Sequence, residues 1–339
     1  MNNKLHQGIL LNKYGDLEEC GYATSLVKFY DRKIIKASKW RIKEWDYYYV
    51  GDDEYGVALT IDDNGYMGLV SASILGFKDI LIVNHSNMFW FPFGKVNMPN
   101  SSKNGDVSKS GKNYKATFIN NHGKRHLSFK IDNMNGKKFE CEIDLNETSE
   151  NSLVIATPFR KKKHFYYNQK INNLKATGYF KYGDLYHEFK NNSYGVLDWG
   201  RGVWTYKNTW YWSSLSGEID GNIIGFNLGY GFGDTSKASE NILFVNNEVY
   251  KLDEVIFDIL KNNKNKDDFL NEWHIHSNDE KIDLIFTPIL DRHDCSNALI
   301  IGQDAHQVFG KFNGTFKVEG KTFKIIDMIG FAEKVKNKW

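Results

Sequence analysis

The sequence predicts an all-β protein: two antiparallel β-barrels, or strongly curved sheets, in tandem, with few short helices. Three observations predict it. Turn dipeptides recur between strand-like segments, at Asn64-Gly65, Asn135-Gly136, Asp220-Gly221 and Glu319-Gly320, and each is a hairpin signal. Aromatic residues make up 15% of the chain, with 29 glycines against four prolines; rings suit a half-buried pleated surface and glycines suit tight turns. No stretch alternates strand with helix, as a parallel α/β sheet requires.

The elements follow in order. Tyr55–Ile61 and Tyr66–Ile74 flank the first turn, and Arg125–Ile131 and Lys138–Ile143 flank the second. Ser128–Ile131 and Phe139–Ile143 alternate strictly, as strands with one wet face do. Trp210–Ser216 and Asn222–Leu228 form the third pair, Gly314–Val318 and Lys321–Ile326 the fourth. Only Leu252–Leu260 and Asp267–Glu272 suggest helix, and the first reads equally well as strand. This many hairpins exceed one ordinary barrel. The basic, Asn-rich stretch 161–177 is the natural seam, giving domains 1–170 and 171–339. Lys43-Glu-Trp-Asp46 and Leu197-Asp-Trp-Gly-Arg201 each precede rings and a turn glycine, a loose internal echo that points to a duplicated barrel unit.

Composition excludes several classes. A net charge of +2 over 339 residues gives no field for nucleic acid or acidic membranes. The runs Arg160–Lys163 and Lys334–Lys338 read as solvated segments. Cys20, Cys141 and Cys295 are far apart and lack CxxC spacing. With no apolar leader and no membrane-length span, the expectation is a cytoplasmic protein with reduced thiols.

Four of the nine tryptophans fall between Trp199 and Trp212. Trp199, Trp204, Trp210 and Trp212, with Tyr206, surround Asp198 and Arg201 and read as the wall of a mostly apolar cavity with a few placed polar groups. A carboxyl among indoles loses solvation and its pKa rises, as a general acid requires; a nearby arginine opposes that. Strand alternation would put Arg201 on the face opposite Asp198, so either Asp198 looks into the cavity as an acid or it turns to pair with Arg201. Trp45 and Tyr47 form a second ring cluster, in which Glu44 and Asp46 share a face and could pair with Asp198 for acid–base work. Tyr230 and Asp234 sit in the run Tyr230-Gly-Phe-Gly-Asp-Thr-Ser236, which lacks the lysine of a phosphate loop and reads as a barrel-mouth loop. His187 lies just before the tryptophan cluster and could reach its cavity. Trp273-His-Ile-His276 has metal-like spacing but no third ligand in view, so no metal site is expected. No nucleophile elbow or Cys/His signature is present.

Six blocks carry a family resemblance: Arg41–Tyr48, Ser193–Gly202, Gly225–Asp234, Pro288–Arg292, Gln307–Gly310 and Gly330–Lys334. In this order they resemble the bacterial domain-of-unknown-function family 2804, from about Gly15 to Trp339. The chain is also distantly similar to the carotenoid hydratase group, to fungal cyclase and Diels–Alderase proteins and to tocopherol cyclase, through its architecture and Gly195-Val-Leu-Asp198. That similarity implies two lipocalin-like barrels around a small hydrophobic molecule, isoprenoid, polyene or otherwise lipid-like. It also implies cofactor-independent, acid-catalysed alkene hydration, isomerisation or cyclisation. Asp198 would protonate the double bond, with Glu44 or Asp46 as runner-up, and ring faces would stabilise the cation. Two other readings stay open: a non-catalytic lipid carrier or sensor, and a glycan-active or carbohydrate-binding protein, since rings and paired carboxylates also suit sugars.

Overall fold

The computed structural model describes residues 2–298 and 301–338. Three short strands open the chain, β1 (Gly8–Ile9), β2 (Gly21–Ala23) and β3 (Lys28–Phe29). A four-strand meander follows: β4 (Ile42–Gly51), β5 (Tyr55–Asp63), β6 (Met67–Gly76) and β7 (Leu81–Trp90). The chain then crosses to β8 (Val107–Gly111) and returns through β9 (Tyr114–Asn121), β10 (Lys124–Met134), β11 (Lys137–Asn146), β12 (Leu153–Pro158), β13 (Phe165–Tyr182), β14 (Leu185–Phe189) and β15 (Tyr194–Val203). The last of these pairs with β4, so the first sheet runs β7-β6-β5-β4-β15-β13-β11-β10-β9-β8, with β2, β12 and β14 alongside.

The second sheet repeats that plan. Its meander is β16 (Lys207–Ile219), β17 (Asn222–Tyr230), β18 (Ile242–Val245) and β19 (Glu248–Lys251). After a crossover, β20 (Val255–Ile259), β21 (Trp273–Ser277), β22 (Ile282–Ala298), β23 (Ile301–Val318) and β24 (Lys321–Lys338) lead back to β16. In both sheets the closing strand pairs with the first strand of the meander. The internal echo therefore has a different register from the expected one. Trp45, on opening strand β4, corresponds to the Trp210–Trp212 strand β16, while Asp198, on closing strand β15, corresponds to a residue of β24.

All four expected turns connect adjacent antiparallel strands. At Asn135-Gly136 the φ angles are 51° and 89°, and at Asp220-Gly221 they are 49° and 75°. Two successive positive values are what a two-residue turn needs to match strand twist. The Leu252–Leu260 stretch contains a strand, β20, and the described residues hold only three 3-10 turns and no α-helix. No described helix is long and apolar enough to cross a membrane.

Each curled sheet wraps its own core. Leu59, Ile61, Phe118, Phe129, Ile143 and Trp199 fill the first; Leu228, Trp273, Phe286, Phe312 and Phe316 fill the second. A third cluster, with Tyr47, Tyr49, Phe77, Trp212, Phe309 and Phe331, lies where the two meet. The division expected at 170/171 falls inside β13, and the change of sheet comes between Val203 and Lys207. The Asn-rich stretch read as a seam ties the sheets together. At a bulge in β13, Asn172 Nδ2 donates to Ser214 Oγ (2.8 Å) and to the Phe226 carbonyl (2.9 Å), and the Asn173 amide donates to Ser216 Oγ (3.0 Å).

Candidate functional site

Alternation along β4 and β15 decides what faces the space between the sheets. On β4, Glu44, Asp46 and Tyr48 point into the first core, and Trp45 and Tyr47 point out of it. On β15, Trp199 and Arg201 point in, and Asp198 and Gly200 point out. Between the sheets lies a cavity of about 250 Å³.

One side of the cavity is aromatic. Trp45 stacks on Tyr166 (5.9 Å between centroids) and meets Trp204 edge-on (5.1 Å). Trp204, Tyr166 and Trp210 each set a ring against Phe232, at 4.7, 4.7 and 5.3 Å. Gly200 permits this wall. A Cβ there would lie 1.9 Å from Trp45 Cζ2, so the bare backbone is what lets the indole lie flat across β15.

The polar side consists of two rows related by the repeated plan. Register places Lys170, Asp198 and Tyr47 abreast on β13, β15 and β4. It places Gln307, Glu333 and Trp212 abreast on β23, β24 and β16. The rows interlock. Tyr47 and Trp212 meet edge-on at 5.9 Å, Tyr47 Oη donates to Gln307 Oε1 (3.2 Å), and the Lys170 ammonium sits 3.8 Å from the centre of the Trp212 ring.

Asp198 looks into the cavity and does not pair with Arg201. Its Oδ2 is 2.8 Å from Lys170 Nζ and its Oδ1 accepts from Asn168 Nδ2 (2.5 Å). Glu333 is held by uncharged donors: Trp210 Nε1 donates to Oε1 (2.8 Å) and Gln307 Nε2 to Oε2 (2.9 Å). Gln307 is aligned in turn by Arg292 Nη1, which donates to its Oε1 (2.8 Å). Burial pushes the Glu333 carboxyl up to about 7, against the Trp210 hydrogen bond and with some help from the Asp198 charge. Burial also raises Glu240, on the same cavity, and pushes Asp62 to about 8.

Of the residues singled out in the sequence, Asp198, Trp45, Tyr47, Trp204, Trp210 and Trp212 line this cavity. The others lie elsewhere. Glu44 accepts from Tyr30 Oη (2.7 Å) and pairs with Arg32 inside the first core. Asp46 pairs there with Arg201 (2.9 Å). Both carboxyls are raised by burial, but the β4–β15 backbone separates them from the cavity, so neither shares it with Asp198. Arg201 also donates to the carbonyls of Trp45 (2.7 Å) and Pro99 (2.9 Å), and its guanidinium lies 4.2 Å from the centre of the Trp199 ring. Tyr206 is exposed. Tyr230 stacks on Tyr211 (4.5 Å), and Asp234 caps the turn Thr235–Lys237 by accepting from the Ser236 amide. His187 sits 2.7 Å from Asp52 Oδ2, against Tyr55 and Phe180.

Sequence reasoning missed Glu333, Lys170, Gln307 and Phe232. Gln307 and Glu333 stand in the short blocks Gln307–Gly310 and Gly330–Lys334, and Phe232 in the glycine-rich run. Lys170 and Glu333 are separated from Asp198 by 28 and 135 positions; strand register brings Lys170 to it, and the packing of the second sheet against the first brings Glu333 to the same cavity.

Solved structures share the tandem architecture. Kievitone hydratase from Nectria haematococca matches with a TM-score of 0.56 at 14% identity, over 88% of this chain and 88% of that one. A provisional AttH from Nitrosomonas europaea matches with a TM-score of 0.54 at 10% identity, over 92% of this chain and 98% of that one. At such identities the likeness is one of fold. No curated protein sequence matches the chain. A family model does match, over residues 2–339, and the chain belongs to the family described as domain of unknown function DUF2804.

Proposed function

We propose that this protein binds a small, largely apolar unsaturated molecule between its two sheets and acts on it by proton transfer, with Glu333 as acid and Asp198 as its carboxylate partner. The observation that carries the reading is the pair of unlike carboxyls on one ring-walled cavity. A carboxyl that burial drives toward its protonated form, with a second carboxyl on the same cavity, is the pattern of an acid–base site. Lys170 offsets the charge of Asp198, whereas Glu333 has only neutral donors and is driven toward the protonated form by burial.

The chemistry balances without a cofactor. The Glu333 proton forms a C–H bond using the electron pair of a ligand C=C bond, which leaves a carbocation on the adjacent carbon. The faces of Trp45 and Trp210 stabilise that cation through the ring quadrupole. Water then adds, with Asp198 taking its proton, or Asp198 removes a proton from a neighbouring carbon and the alkene has moved. The fold likeness to a protein named a hydratase supports this reading as analogy.

The test starts from ligand extracted with the purified protein and identified by mass spectrometry. That ligand is incubated with wild-type protein in D2O. Deuterium at carbon is the expected result, with Glu333→Gln losing at least 100-fold in exchange rate while tryptophan quenching by the ligand persists. No deuterium at carbon with wild-type protein would leave a carrier; a bound water-soluble sugar would favour the glycan reading.

A further inference from the structure

His274 and His276 share one face of β21 with metal-like spacing, and the fold supplies a third ligand. Strand β20 pairs antiparallel with β21, with Asp258 opposite His274. Phe257, Trp273 and Ile275 take the core side, which leaves Asp258, His274 and His276 together on the outer face. Asp258 Oδ2 lies 3.2 Å from His276 Nε2 and 4.0 Å from His274 Nδ1, and each of the three residues offers one ligand atom within 4.8 Å of the others. Ligand atoms about 2.1 Å from a tetrahedral ion stand roughly 3.4 Å apart, so a small turn of the half-buried His274 ring brings the set to binding distance.

A fourth residue fixes the chemistry. Asp283, on β22, places Oδ1 2.7 Å from His274 Nε2. A carboxylate on one ring nitrogen holds the proton there and frees the other nitrogen's lone pair, the arrangement that orients metal-bound imidazoles. Here the freed atom is Nδ1, the one facing Asp258. Two carboxylates also balance the charge of a divalent ion, and two imidazoles favour zinc, nickel or copper over calcium or magnesium. We propose that Asp258, His274 and His276, oriented by Asp283, form a binding site for a divalent transition ion, zinc foremost, with water completing the shell. Because β20 is the edge strand of the second sheet, the ion clips that edge to β21.

A second cluster, His293, Asp304 and His306, serves as the internal comparison. Its imidazoles stack at 3.9 Å with only 8° between planes, and Phe269 covers the other face of His306 at 3.7 Å. Both of its Nε2 atoms already meet Asp304 Oδ1, at 2.9 and 3.4 Å, but Phe269 and His293 grip the His306 ring on its two faces and leave it no turn that would admit an ion, whereas His274 and His276 stack more loosely, at 4.6 Å with 25° between planes.

The test uses the full chain without an affinity tag, stripped with chelator and titrated with zinc chloride by calorimetry and thermal unfolding. One equivalent binds, and free zinc at about 100 times Kd raises Tm by a few degrees. Asp258→Asn weakens binding at least tenfold. Asp283→Asn, which removes no ligand, weakens it about 10-fold. The double variant His274→Ala/His276→Ala abolishes it and the visible absorption of bound Co2+, while His293→Ala/His306→Ala leaves both intact. Absence of a stoichiometric zinc site, or zinc binding that survives the first double variant and is lost in the second, would overturn the assignment.

Discussion

Replacing Glu333 by Gln should change how the stability of the fold depends on pH. In the fold the carboxyl titrates near 7, against its ordinary 4.5, because burial disfavours the charged form. The folded state therefore binds this proton more tightly than the open chain does. Its full contribution is present below about pH 4.5 and declines as pH rises through 7. At 1.36 kcal/mol for each pH unit, the gap amounts to about 3 kcal/mol, of which about 2.5 kcal/mol is lost between about pH 5 and about pH 8.5. Gln keeps the shape and an oxygen for the Trp210 N–H, but cannot ionise. Urea unfolding of both proteins across that range measures the difference directly, since other buried groups titrate in both and cancel. Glu333→Gln should gain about 2.5 kcal/mol relative to wild type between the two ends. Parallel curves would mean that Glu333 titrates in the fold as it does in the chain, and would remove it as the acid. The sign for activity is the same: an acid that must hold its proton gives a rate falling as pH rises through about 7.

The remaining predictions concern the wall, the ion pairs and the carboxylate partner. Gly200→Ala puts a methyl into the space of the Trp45 ring; ligand affinity by tryptophan quenching should fall at least tenfold, with about 1–3 kcal/mol lost in urea unfolding from overpacking. Arg201→Met leaves buried Asp46 without its cation; unfolding should show a loss of about 3–5 kcal/mol, partly recovered by adding Asp46→Leu. Asp198→Asn keeps the hydrogen bond to Lys170 but removes the charge; deuterium exchange should slow about 100-fold with Kd changed less than threefold. Equal exchange rates would remove Asp198 from the chemistry.

Much of the fold was legible because its signals are local. A turn dipeptide and the residues beside it report on one hairpin, and all four hairpins were found in place. Alternation also set the faces correctly: Glu44 shares a side with Asp46, and Arg201 points away from Asp198. What alternation could not say was which side of β4 meets the second sheet. Glu44 and Asp46, read as partners of Asp198, therefore belong to the first core, where Arg32 and Arg201 compensate their charge. The internal echo was visible but misaligned, because Trp199 on a closing strand was matched to Trp45 on an opening one.

The sequence by itself determined an all-β chain, its hairpins, and the presence of an acid among tryptophans. These are properties of neighbouring residues and of side-chain period. Tertiary structure decided the rest. It chose Lys170 over Arg201 as the partner of Asp198, brought Glu333 and Gln307 to the same cavity, and joined Asp258 to the two histidines of β21. Each of these juxtapositions crosses either from strand to strand, at a separation fixed by register, or from one sheet to the other, and both depend on how the whole sheets close and pack.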